Sequence, residues 1–94
     1  MALILWTDQA IADLENIADY ISKDSTRYAS IVIDNIIKSA SLLENQPMLG
    51  RIVPEFEIDS IREIIIGKYR IVYSIVSQDR IDILTIHHSS RLLK

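Results

Sequence analysis

The sequence contains no cysteine. Disulfide staples and thiolate metal sites are thereby excluded, and a reducing compartment is no obstacle to folding. Glycine and proline are scarce, with two of each in 94 residues, so those four positions mark the breaks between regular elements. Aromatic residues make up only 6%, which leaves aliphatic side chains to build the core. No stretch approaches the roughly 18 consecutive apolar residues that a membrane span needs. The opening run Met1-Ala2-Leu3-Ile4-Leu5-Trp6 is too short for the core of a signal peptide and has no basic residue before it. The expectation is one domain over residues 1–94, cytoplasmic, with no membrane partner.

Against these absences, hydrophobic residues make up 49% and charged residues 24%, the composition of a globular domain and not of a disordered chain. The net charge of −3 hides an asymmetry. Residues 1–60 hold ten acidic and four basic residues, whereas residues 61–94 hold six basic and three acidic. An anionic partner would therefore meet the C-terminal third. The plainer alternative is a chance distribution of solvated charges.

Leu3–Trp6 is short and continuously apolar, the pattern of a buried strand. Thr7 can cap a helix, with Asp8 in its first turn facing the positive end of the dipole. Ala10, Leu14, Ile17, Ala18 and Ile21 then recur at helical spacing, and the helix should stop near Ser22-Lys23-Asp24. Ser25 is a second cap. Tyr28, Ala29, Val32, Ile33, Ile36, Ile37, Ala40 and Leu43 form a second stripe, ended by Asn45-Gln46-Pro47. The two make a helical hairpin. Residues 45–60, which include Pro47, Gly50 and Pro54, read as an irregular loop. That length is unusual for a small domain, so the loop either packs on a sheet or carries function. Ile61–Ile66, Tyr69–Val76 and Ile81–His88 are rich in β-branched and aromatic residues and read as three strands.

Gly67-Lys68 fits a two-residue hairpin turn, and Gln78-Asp79 centres the next. These turns pair Glu63 with Val72, Ile65 with Arg70, Arg70 with His87, Val72 with Thr85 and Val76 with Ile81. One face of the sheet then carries Ile64, Ile66, Tyr69, Ile71, Tyr73, Ile75, Leu84 and Ile86 and belongs under the helices. The other carries Glu63, Ile65, Arg70, Val72, Ser74, Thr85 and His87 and should be open to water. A slip of one residue in either turn would scatter the cluster of Glu63, Arg70 and His87. Trp6, Tyr20 and Tyr28 are expected in the core.

Ordered pieces of the chain resemble a known family. Trp6-Thr7, Ala10, Asp13-Leu14, Ile17 and Tyr20-Ile21 resemble the opening of ParE-type toxins. Pro47, Gly50-Arg51 and Pro54-Glu55 resemble the loop that follows. Arg62-Glu63 with Tyr69-Arg70-Ile71-Val72-Tyr73 resembles a strand pair, and Ile81–Ile86 with His87 and Arg91 resembles the closing strand. Each piece is unspecific alone; together they cover nearly the whole chain in order. The resemblance is to the RelE/ParE toxins of bacterial type II toxin–antitoxin pairs. It implies an α+β fold of order β-α-α-β-β-β, with the helical hairpin on one face of an antiparallel meander sheet. It also implies a cognate antitoxin, encoded alongside, whose C-terminal segment wraps the toxin.

Two mechanisms occur among such toxins. RelE-type members cut messenger RNA on the ribosome, and ParE-type members are associated with inhibition of DNA gyrase. If this chain were a nuclease, Arg70 would stabilise the phosphate at cleavage, and His87 or Glu63 would move the proton. Without catalysis, Arg70 pairs with Glu63 across strands. Arg62, Arg91 and Lys94 are candidate contacts to a target. No cofactor is expected, and no metal, because adjacent His87 and His88 on a strand point to opposite faces. The motif pieces lean towards a ParE-like toxin that binds a protein target such as gyrase. The alternatives are a metal-independent, ribosome-dependent endoribonuclease and an inactive member that only binds antitoxin and helps regulate transcription.

Overall fold

A computed structural model describes residues 1–90. Strand β1 (Leu3–Trp6) leads into helices α1 (Asp8–Ser22) and α2 (Thr26–Ser41), which a 3-10 turn, Leu42–Glu44, extends. Strands β2 (Arg51–Ile52), β3 (Ile61–Ile66), β4 (Tyr69–Ser77) and β5 (Arg80–His88) follow. They form one sheet in the order β1-β5-β4-β3-β2. The meander β3-β4-β5 and the short β2 are antiparallel, and β1 makes the sheet mixed by running parallel to β5. Among the described residues, no helix is long and apolar enough to cross a membrane.

Both helices start where the sequence places a cap. The Thr7 hydroxyl accepts from Ala10 N–H and the Ser25 hydroxyl from Tyr28 N–H. Ala10, Ala29, Ile36 and Ala40 are buried. The alanines let the helices lie close to the sheet, where Ile71, Tyr73, Ile81, Ile83 and Ile86 complete the core. Burial of each of these large side chains contributes on the order of 1.5–3 kcal/mol.

The registers β3–β4 and Arg70–His87 are those expected, but two compensating irregularities interrupt β4–β5. Val72 faces Thr85 while Tyr73 faces Ile83, so Leu84 is an extra residue; Ile75 faces Ile81 and Ser77 faces Arg80, so Val76 is another. The expected pair Val76–Ile81 is thus replaced by Ile75–Ile81. Leu84 moves from the helix side to the opposite face, where it packs with Val53, Phe56, Ile61 and Val72. Hydrogen bonds from α1 hold the irregular strand. The Thr7 hydroxyl lies 2.7 Å from the Ile83 carbonyl and 3.0 Å from that of Leu84. Beyond Trp6, where β1 no longer flanks β5, the Asp13 carboxylate accepts from Ile86 N–H and the Thr85 hydroxyl.

The face expected to be open to water is covered. Val53 and Phe56 bring the loop down onto Val72 and Leu84 as a second small core. The loop also contains β2, whose pairing of Arg51 with Glu63 is too short to leave a period in the sequence. Arg62 fastens it, donating to the carbonyls of Gly50 and Asp59 and to the Asp59 carboxylate.

Tyr73 ties the loop from the other side: its hydroxyl donates to the Pro47 carbonyl at 2.7 Å and accepts from Gly50 N–H at 2.9 Å. Burial raises the Tyr73 pKa, opposed by the Gly50 hydrogen bond and the charge of Arg62. A raised folded-state pKa means that stability is intact below the ordinary value of 10.0 and falls as the pH climbs above it. Tyr73→Phe is expected to cost about 1–3 kcal/mol at neutral pH and to flatten the alkaline loss. Urea unfolding at pH 7 to 11 measures both; an alkaline slope identical in the variant would count against this role.

Candidate functional site

The side chains that β3, β4 and the loop bring together are charged. Glu63 and Arg70 sit on neighbouring strands, with Glu63 opposite Val72 and Arg70 opposite Ile65. Both point away from the helices into the layer that the loop closes. Glu63 has no exposed side-chain surface and accepts from two guanidiniums: Arg51 Nε at 2.6 Å, and Arg70. The outer edge of Arg70 grips Glu55 from the loop, Nη1 to Oε2 and Nη2 to Oε1, each at 2.8 Å. That two-pronged geometry is the strong form of an arginine–carboxylate pair. The hydrogen bond to Glu55 is the main cause that raises the Arg70 pKa and keeps it charged despite burial. Two carboxylates and two arginines balance, so the cluster is neutral, as buried charge must be.

The candidate residues separate accordingly. Glu63 and Arg70 come together, and His87 is the cross-strand partner of Arg70 on β5, half-buried. Arg62, a candidate for contacting a target, is buried with its guanidinium engaged by the loop. Arg91 and Lys94 lie outside the described residues. Glu55 completes the cluster although neither periodicity nor turn chemistry singled it out; its only signal was its place in the Pro54-Glu55 piece of the resemblance. Arg51 was visible in the same way.

A second feature lies on the helix side. An open cleft of about 960 Å³ separates the tip of the helical hairpin from the β3–β4 turn, with Tyr20, Tyr28, Lys68, Tyr69 and His88 among its lining residues. Tyr20 and Tyr28 are not core residues; they are 73% and 56% exposed. Tyr69 is half-buried on the helix-facing side, edge-on to His88 with ring centroids 5.9 Å apart. Its pKa is raised chiefly by burial, and further by Tyr28 and Tyr20. Three phenols therefore converge on one opening. The apolar stripes gave no warning, because a helix pattern does not reveal where the sheet beneath it ends.

A family model described as the ParE toxin of the type II toxin–antitoxin system parDE matches residues 4–93. The chain belongs to the ParE toxin family. It is the toxin component of a type II toxin–antitoxin pair, and its family implies a cognate antitoxin as partner. Toxin RelE2 of Caulobacter vibrioides is 29% identical over 92 residues, which span 98% of this chain and 100% of that toxin. A chain of the chromosomal ParDE toxin–antitoxin system of P. aeruginosa has the same fold. Its TM-score is 0.76 at 24% identity, with 94% of this chain and 96% of that chain covered. These likenesses agree with the expected α+β architecture, two helices on one face of the sheet.

Proposed function

We propose that this toxin arrests growth by binding a protein target, with DNA gyrase the leading candidate, and not by cutting RNA. The observation that carries the reading is the engagement of Arg70. Its fork is closed by Glu55 and its Nε side by Glu63. Glu63 is fully buried with both oxygens taken, so it cannot reach a 2′-hydroxyl. A nuclease needs positive charge offered to phosphate, whereas this charge is neutralised from within. Contact with the target is assigned to Arg91 and Lys94, the basic residues that follow the last strand.

The antitoxin is assigned to the cleft of Tyr20, Tyr28 and Tyr69. Exposed aromatic side chains beside an apolar hairpin suit a segment that orders as it binds. Purified toxin should inhibit supercoiling by gyrase, and a chain truncated after Ser90 should inhibit at least tenfold less. A truncated toxin of full potency would remove the tail from the mechanism. Tyr20→Ala and Tyr28→Ala together should weaken antitoxin binding by about a hundredfold, on the order of 2–3 kcal/mol for hot-spot aromatics. Growth arrest that the antitoxin still reverses at equal dose would place its binding surface elsewhere.

A further inference from the structure

We propose that the outer fork of Arg70 is an oxyanion seat for a phosphate group, and that the toxin keeps this seat filled with its own Glu55. The inference is independent of the choice of cellular target. Glu55 offers two carboxylate oxygens to two guanidinium nitrogens at 2.8 Å each, the arrangement by which arginine also takes up phosphate. The two carboxylates on Arg70 are not equivalent. Glu63 lies below, with no exposed side-chain surface, and belongs to the sheet; Glu55 lies above, 17% exposed, and belongs to the loop. Glu63 therefore orients the guanidinium permanently, while Glu55 occupies the side that an anion from solvent would approach. His87, the cross-strand partner of Arg70, flanks the same spot with an imidazole. Two residues past Glu55 the backbone of Glu57 adopts φ 53°, a left-handed conformation that non-glycine residues rarely take. The loop thus holds an unfavourable turn in the segment that delivers the carboxylate. Removing Glu55 leaves Arg51, Arg70 and Glu63, a set with one positive charge in excess, facing the opening.

The test uses the full chain as wild type, Glu55→Ala and Glu55→Gln. Each is titrated with inorganic phosphate against chloride of matched ionic strength, following the Arg70 Nε–H and His87 resonances by NMR and the melting temperature. Wild type should show no phosphate-specific shift. Glu55→Ala should bind phosphate at least tenfold more tightly than wild type, move both resonances, and recover melting temperature as phosphate is added. Glu55→Gln keeps the shape of the side chain without its charge and should show a smaller gain, which preserves the test if the alanine variant does not fold. A short RNA oligomer in a parallel titration identifies the source: a matching shift assigns the seat to a phosphodiester, and a shift with phosphate alone assigns it to the free ion. If neither variant responds to phosphate beyond chloride, or if wild type binds as tightly as the variants, Glu55 is not standing in for an anion and the proposal fails.

Discussion

Arg70→Ala is expected to unfold much of the protein, and so to abolish toxicity for a reason unrelated to catalysis. The substitution strands the buried Glu63 with Arg51 alone, whose side chain is 64% exposed, and deprives Glu55 of its fork. Breaking a buried pair from one side costs about 3–5 kcal/mol, because the remaining charge stays buried without compensation. A domain of this size has only about 5–15 kcal/mol in total. The melting temperature should drop by roughly 15–30 °C, taking about 4–8 °C per kcal/mol. Circular dichroism during heating measures it. Replacing Glu55, Glu63 and Arg70 together by apolar residues of similar volume should recover most of the loss, since an all-apolar cluster has no charge to desolvate. A triple variant as unstable as the single one would show that packing and not charge governs the site. Growth assays on Arg70 variants are therefore informative only alongside the folded fraction.

The second large effect is expected at Gly50, through close approach and not backbone conformation. A Cβ there would lie 2.5 Å from the Glu63 carbonyl oxygen and 2.8 Å from both Cε1 and the hydroxyl of Tyr73. The carbonyl belongs to a central strand and cannot retreat. Tyr73 is fully buried and holds Gly50 N–H and the Pro47 carbonyl. Gly50→Ala should thus cost about 1–3 kcal/mol for overpacking and about 1 kcal/mol more for the hydrogen bonds it displaces. The same change at Gly67 meets no atom within 4 Å; only its φ of +58° resists, a cost of about 1 kcal/mol. Chemical denaturation of the two alanine variants side by side compares them. Equal midpoints would refute the close-packing argument at Gly50.

Much of this architecture was legible in the sequence because its signals are local. Thr7 and Ser25 announce their helices by capping chemistry, and Gly67-Lys68 fixes a turn that aligns Arg70 with His87. What escaped reading was non-local. Leu84 changes face because two extra residues, Leu84 and Val76, compensate each other, and neither carries a glycine or other local mark. Tyr20 and Tyr28 sit at the edges of apolar stripes that run past the end of the sheet. Glu55 reaches Arg70 across fifteen positions of sequence, from a loop without a period. The alignment of Arg70 and His87 was thus foreseeable, but not the carboxylate that closes it.

The most direct test of binding against cutting is a ribosome assay. Purified wild-type toxin, shown to be folded and potent against growth, is added to translating ribosomes, and message ends are mapped. The engaged state of Arg70 predicts intact messages at toxin doses that arrest cells. Toxin-dependent cleavage of message on the ribosome would contradict it.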